Sequence, residues 1–580
     1  MNKKKIIILV IIILIIAIIA TILTMYFIKR AKYIYEIETV SNIEYNTINV
    51  NNRYGVIDGK GNIIIEPNYD VIQIPNPSKP IFICMSNYNT ETKEYETKVL
   101  NDKKEQIFIG YESVQAIPTE TTADGIPFEK TVLKYKRNGK YGLIDINGKE
   151  VTDPVYDDIS SIPYKEGMFI VSLKDKKGVI NLNGITVIDV EYENITIDNY
   201  YDINTKYQTT GFIVCKTEEN GYRYGYINYK GDVILKTEYT EIERVTEIED
   251  SKNIYLIAYK DGQAGLLRNN KVILNYEYEE IKYNSYNDVF LVRRNGNQGI
   301  TDREGNIKID TKYNSITFGG VYINVTENDE EKVLDLNGNE VTNGYIYKMP
   351  TKDGNYSIVY GKDEIYKIID DNDNVVIDKN YTYIEEIDNN NFIVATDKNN
   401  GIINLSGKSL VDLKYNSIFK LDGTELLQAN ISDTNTISLI NKNMEIVVTM
   451  DEAIVEVKDN YIALYSEKES KYFDYSGNEL TASQVFPKNK LFAKKINNKW
   501  GFVDKDGNLK VQNEYDFVTQ LNEYGFAGIK KDDKWGVINE NGEIVQEPIY
   551  ELESINPIFI GKYYKSEEWY GNDFFTDKVE

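Results

Sequence analysis

The chain has 580 residues, 42% hydrophobic and 27% charged, a composition that supports a folded core rather than disorder. It has no histidine, which excludes Ser/His/Asp and Cys/His nucleophile systems and His-ligated zinc, and its two cysteines, Cys84 and Cys215, are too few for a thiolate cage or disulfide framework. Acidic residues outnumber basic ones 91 to 66; six basic residues fall within the first 32 positions, leaving 60 against 91, or −31, for the rest, a body that repels nucleic acid.

Residues 1–5 form a short tail carrying Lys3, Lys4 and Lys5. Residues 6–28, from Ile6 to Ile28, are 23 consecutive uncharged residues rich in isoleucine. As a helix they would span roughly 34 Å, enough to cross a bilayer core. The stretch is longer than a signal-peptide core and no small-x-small cleavage site follows it. Thr24-Met25-Tyr26-Phe27 is bulky where a peptidase needs small side chains. The reading is an uncleaved signal anchor, a single transmembrane helix. Lys29, Arg30 and Lys32 nearly balance the three lysines before it, and the favoured orientation keeps the N-terminus inside and the body extracytoplasmic. Residues 29–50 are then a juxtamembrane segment and a first strand.

From 51 to 555 the chain repeats itself. An aromatic residue and glycine, two apolar residues, Asp or Asn, and a later glycine recur: Tyr54-Gly55 with Gly61, Tyr141-Gly142 with Gly148, Tyr224-Gly225 with Gly231, Trp500-Gly501 with Gly507, and Trp535-Gly536 with Gly542. Weaker copies centre on Gly178, Gly265, Gly299 and Gly401, and copies lacking the glycine on Lys98, Lys332, Lys367, Ser438 and Lys471. These are fourteen units, with thirteen intervals over 481 residues and a mean period of 37. Eight residues past the turn glycine stands a tyrosine, as at Tyr69, Tyr156, Tyr239, Tyr515 and Tyr550, often followed three residues later by Ile or Val.

The segments Lys499–Asn508 and Lys534–Tyr550 resemble the WG repeat family of bacterial proteins, and the likeness extends with decay from Arg53 to Ile555. Only two units keep the tryptophan; Tyr54, Tyr141, Tyr224, Lys177, Ala264, Gln298 and Asn400 stand in its place elsewhere. The resemblance implies a repeat protein tied to the cell envelope, and it brings no catalytic residues.

Each unit reads as strand, tight turn, strand, with a further strand upstream: Met168–Leu173, Gly178–Asn181 and Ile185–Ile188. The expected fold is an all-β repeat protein of three- or four-stranded antiparallel meanders, preceded by one transmembrane helix. Such units cannot bury their apolar faces alone and must stack, either radially as propeller-like blades or linearly as a β superhelix. Uneven spacings suggest loop insertions around Thr90–Thr121 and Asp202–Thr217. Residues 556–580 are a C-terminal cap or closing strand and tail, with 557–565 read as a lone outer strand.

Asp370–Asn374 and Asp504–Asn508 superficially resemble calcium loops, but both fall on the repeat's turn and lack the full ligand set. No phosphate-binding glycine loop and no distinct carboxylate pair stands out, so no catalytic, metal or cofactor residue is assigned and no enzyme activity is expected. Trp500 and Trp535 have two readings: packing residues at equivalent places, or an exposed sugar-stacking platform. The expected function is a membrane-anchored, non-catalytic binding or scaffold module for a protein or cell-wall polymer. A carboxylate-dependent glycan-active enzyme of the envelope is the alternative.

Overall fold

Short runs of isoleucine, valine and tyrosine between Asn/Asp/Gly turns favour pleated, half-buried backbone, and these runs are strands almost throughout. The computed structural model describes residues 44–119, 128–163, 165–202, 206–248, 253–466, 468–566 and 574–577. The apolar stretch 6–28 lies outside them; among the described residues no helix is long and apolar enough to cross a membrane. The chain divides into two compact units, residues 1–237 with 559–579, and residues 238–558.

The first unit holds a six-stranded sheet and the antiparallel sheets of residues 71–107, 113–145, 158–192 and 194–239. The second holds nine blade-like sheets, running from Glu241 to Tyr550, with three or four strands each in sequence order. Among the described residues these make fourteen sheets, one around each repeat centre. The glycine of each repeat falls on the third strand, so the sequence repeat straddles two sheets. Tyr192, for example, ends one sheet, and Ile195 begins the next. The core lies between successive sheets: Val179, Ile188 and Tyr192 pack on Ile195, Phe212 and Val214 in the first unit. Leu266, Leu274 and Tyr278 pack on Ile281, Phe290 and Val292 in the second. Cys84 and Cys215 are buried free thiols within strands.

The sheet that opens the array departs from expectation. Asn46–Val50, Arg53–Ile57 and Ile63–Tyr69 are joined by Phe559–Ile560, Tyr563–Ser566 and Phe574–Thr576. Residues 557–565 are therefore not a lone strand but contain a hairpin, and the strand that meets the first one is 574–576. It runs parallel to Asn46–Val50, pairing Ile48 with Phe575 and Asn49 with Thr576. The turn glycines of the two hairpins touch: a Cβ on Gly61 would sit 2.8 Å from Cα of Gly561.

The supposed loop insertions contain strands among the described residues. Asn194–Asp202 pairs with Lys206–Glu218 as one long hairpin, and Glu94–Leu100 and Ser113–Gln115 are strands within 90–121. Asn199, Tyr200 and Tyr201 continue the ladder of Asn194–Asp198, so the extra residues lengthen the strands instead of leaving them. Helix is confined, among the described residues, to a 3-10 turn at Ser432–Thr434 and one α-helical turn at Ala482–Val485.

Candidate functional site: a repeat framework and one groove

The two glycines of the repeat answer to different physical demands. On the third strand, the residue before the glycine pairs with the conserved-offset tyrosine of the fourth: Tyr54 with Tyr69, Trp500 with Tyr515, Trp535 with Tyr550, and Tyr141 with Tyr156 through an isolated bridge. Two residues further, Val537 already faces Gln546, so two residues of one strand oppose four of the other. The bulged strand crowds the glycine. A Cβ on Gly536 would lie 2.6 Å from the Gln546 carbonyl oxygen, and one on Gly501 would lie 2.4 Å from that of Val511. Gly55, Gly142 and Gly225 meet equivalent backbone oxygens. The second glycine is conformational: Gly148, Gly507 and Gly542 have φ of +86°, +83° and +82°.

Four of the five units without the first glycine lose the bulge at that position, and one keeps it. At Lys98 and Lys471 the fourth strand shrinks to two residues, and at Lys332 only an isolated bridge remains. Ser438 sits in regular pairing without the bulge, while Lys367 keeps it.

Trp500 and Trp535 are both buried, the latter 1% exposed, with Phe517 edge-on between them at 5.7 and 6.1 Å. Neither indole N–H has a hydrogen-bond partner. Buried rings offer no face to a sugar, so the platform reading does not fit. Tyr239, Tyr515 and Tyr550 are also buried; Tyr54, Tyr69, Tyr141 and Tyr156 are half-buried.

The polar residues of the repeat hold its turns. The Asp504 carboxylate accepts the backbone N–H groups of Asp506 and Asn508, both at 2.9 Å. The Asn508 side-chain amide and those N–H groups hold it well below the usual carboxylate range. Asp370 does the same with Asn372 and Asn374. Among the described residues no group of three acidic or thiol side chains is placed to hold a metal. The residue after the tyrosine joins neighbouring sheets: Asp516 accepts the Lys499 ammonium at 2.6 Å and the Asp532 N–H at 2.9 Å. Arg53 with Asp70, and Lys140 with Asp157, occupy the same places. A further device passed unread in the sequence. The second and third strands are joined by two-residue left-handed turns at Asn138-Gly139, Asp261-Gly262 and Asn295-Gly296, among the strongest short hairpin signals.

The pattern is also broken between Leu480 and Phe492. The fourth strand of the sheet 454–480 stops after Glu479–Leu480, and the following sheet lacks a first strand and begins at Phe492. Between them stand the helical turn Ala482–Val485 and a loop. Thr481 closes the turn's start, its backbone N–H donating to Gln484 Oε1 at 2.8 Å. Where one strand is shortened and the next is missing, an open groove of about 740 Å³ forms within the second unit, in the size range of ligand sites.

Tyr461, Tyr465, Tyr472 and Phe486 make its aromatic wall; residues 519–525 and Asn556–Ile558 form the opposite side. Tyr472 meets Phe486 at 5.4 Å and Tyr461 at 5.9 Å, all rings edge to face. Tyr465 is 7% exposed, lines the groove, and its hydroxyl has no hydrogen-bond partner among the described residues. Burial pushes the Tyr461, Tyr465 and Tyr472 phenols up, so all three stay protonated at neutral pH. Asn489 donates to the Leu521 carbonyl at 3.0 Å, and Lys490 pairs with Glu540 at 2.7 Å, fixing the rim. No sequence signal pointed here except the loss of the repeat itself between Lys471 and Trp500.

With this geometry in hand, comparison with known proteins bears on the framework. The pattern of the WG containing repeat matches residues 54–75, 141–176, 224–247, 500–535 and 535–552. Five segments of the chain carry the WG repeat. The matched segments carry the two glycines and the paired aromatic–tyrosine positions; the WG repeat pattern is absent from the segment forming the aromatic wall. No curated protein matches the chain. Among solved structures, similar chains include BamB from Moraxella catarrhalis, 14% identical over 46% of this chain and 95% of that one, TM-score 0.25. A eukaryotic initiation factor is 12% identical over 66% of this chain and 98% of that one, also with a TM-score of 0.25. At these scores neither likeness bears on ligand or activity.

Proposed function

We propose that this WG repeat protein is a non-catalytic binding module of the cell envelope, held by residues 6–28 in the membrane with its repeats outside, and that it engages its partner in the groove beside Tyr465. The observation carrying this reading is the break in the array. Between a sheet that ends on the two-residue strand Glu479–Leu480 and one that lacks its first strand, residues 481–491 leave an aromatic-walled groove. Departures from an otherwise self-consistent repeat are where functional demands override folding rules. The repeat turns at Asp370 and Asp504, by contrast, have their carboxylates already engaged by backbone N–H groups.

A photo-activated cross-linker placed at Lys488 in intact cells tests it. A discrete adduct from Lys488, and none from the exposed Lys271 on a regular sheet, is expected. Equal labelling from both positions, or from neither, refutes the groove as the binding site.

A further inference from the structure

Building on the reading of the groove as the binding site, we propose that its ligand is a proline-rich stretch of polypeptide in the polyproline II conformation, flanked by acidic residues. The groove's chemistry favours an acceptor-rich, already extended ligand over a sugar. Sugars stack on open ring faces, but Tyr461, Tyr472 and Phe486 turn edges into one another's faces. Sugars also need many two-way polar groups, and the scaffold has used most of those present. Asn489 is tied to Leu521, Gln520 accepts the Ala493 N–H, and Asn522 accepts those of Tyr524 and Phe526.

What remains are ring edges and donors: the hydroxyl of Tyr465, nine-tenths buried and without a hydrogen-bond partner among the described residues, and that of Tyr461. A polyproline II segment presents unpaired carbonyls, and each proline lacks an N–H that would need an acceptor. Its backbone is extended beforehand, so little ordering opposes docking against an aromatic groove. Charge sets the flank. Within an acidic chain, Lys458, Lys488 and Lys490 line the groove against Glu523 and Glu540. Lys490 is paired with Glu540 and Lys458 with Glu456. Lys488 has no ion pair among the described residues and is free to meet a carboxylate.

The test uses the full chain in detergent micelles and a random dodecapeptide library displayed on phage. Enrichment of Pro-x-x-Pro sequences with adjacent Asp or Glu is expected. For a selected peptide, Tyr465→Phe should weaken affinity by about three- to tenfold, the worth of one hydrogen bond, with an unchanged thermal midpoint. Lys488→Glu should weaken it further and flatten its salt dependence. Selected peptides without proline, or an affinity that neither substitution moves, overturn the proposal. Chitohexaose and soluble peptidoglycan fragments form the second arm. If a sugar probe binds and Tyr465→Phe weakens it, the groove stands as the site and the polypeptide ligand falls. If peptide selection fails while the Lys488 cross-link persists, only the ligand class is overturned; if both fail, the groove reading falls with it.

Discussion

Replacing Gly536 by alanine separates the two roles of glycine in this repeat. The added Cβ would lie 2.6 Å from both the Gln546 oxygen and the Pro548 nitrogen, and 2.8 Å from the Glu547 carbonyl carbon. All three are backbone atoms, so no side chain can rotate away and the fourth strand must move. Overpacking of this kind costs about 1–3 kcal/mol. Loosening the Trp535–Tyr550 pairing adds about 1 kcal/mol for each hydrogen bond lost, giving about 3–5 kcal/mol in all. Gly507→Ala provides the contrast. Nothing lies within 4 Å of its Cβ, and the cost comes only from φ of +83°. That is about 1–2 kcal/mol, partly offset by a stiffer unfolded chain. Hydrogen exchange of amides on strands 534–539 and 499–503 reads local opening in each variant and avoids assuming that a long array unfolds in one step. If Gly536→Ala costs no more than Gly507→Ala, the close-approach argument is wrong.

Trp535→Ala should destabilise its sheet by about 3–5 kcal/mol, whereas Trp535→Phe should cost only about 1 kcal/mol because it also deletes a buried N–H without a partner; exchange protection of residues 526–539 discriminates. Burial, then the charges of Asp102 and Glu191 respectively, push the Tyr45 and Tyr192 phenols up to about 12 from 10.0. Their contribution to stability is present below pH 10 and lost as pH rises towards 12, which phenolate absorbance during alkaline unfolding will follow. Hydrogen bonds from Asn374 and Asn508 lower the Asp370 and Asp504 carboxyls, so their contribution is present above pH 3.8 and lost as pH falls through the lowered values. Asp504→Asn, copying Asn539 in the next sheet, should remove that acid sensitivity at its turn while keeping the turn, as carboxyl and amide NMR titration will report. The full chain should pellet with membranes and resist carbonate; an N-terminus beginning after residue 24 would sink the anchor.

The framework was legible because it is local and repeated. A glycine at φ near +80° and a tyrosine eight residues on leave a fixed spacing, and eight copies make that spacing visible. Why Gly536 must be glycine was not legible, since the crowding comes from a bulge ten residues away in the partner strand. The pairing of Ile48 with Phe575 is invisible for the same reason: it joins positions with no periodic relation. The groove belongs to the same class. Phe486 meets Tyr461 and Tyr472 where one strand is cut short and the next is absent, and a repeat pattern registers an absent strand merely as a weak repeat. Asn138-Gly139, by contrast, is a local left-handed turn that its own two residues signal.

The parallel pairing of Phe574–Thr576 with Asn46–Val50 has a consequence for synthesis. Strand 46–50 emerges early, yet the neighbour that covers its edge is made more than 500 residues later. Until then its unpaired N–H and C=O groups are a template for any other extended chain. The first sheet therefore acts as a completion check on the polypeptide. A chain interrupted anywhere in the array keeps an open edge at its start, and is marked for capture by chaperones, proteases or another unfinished copy.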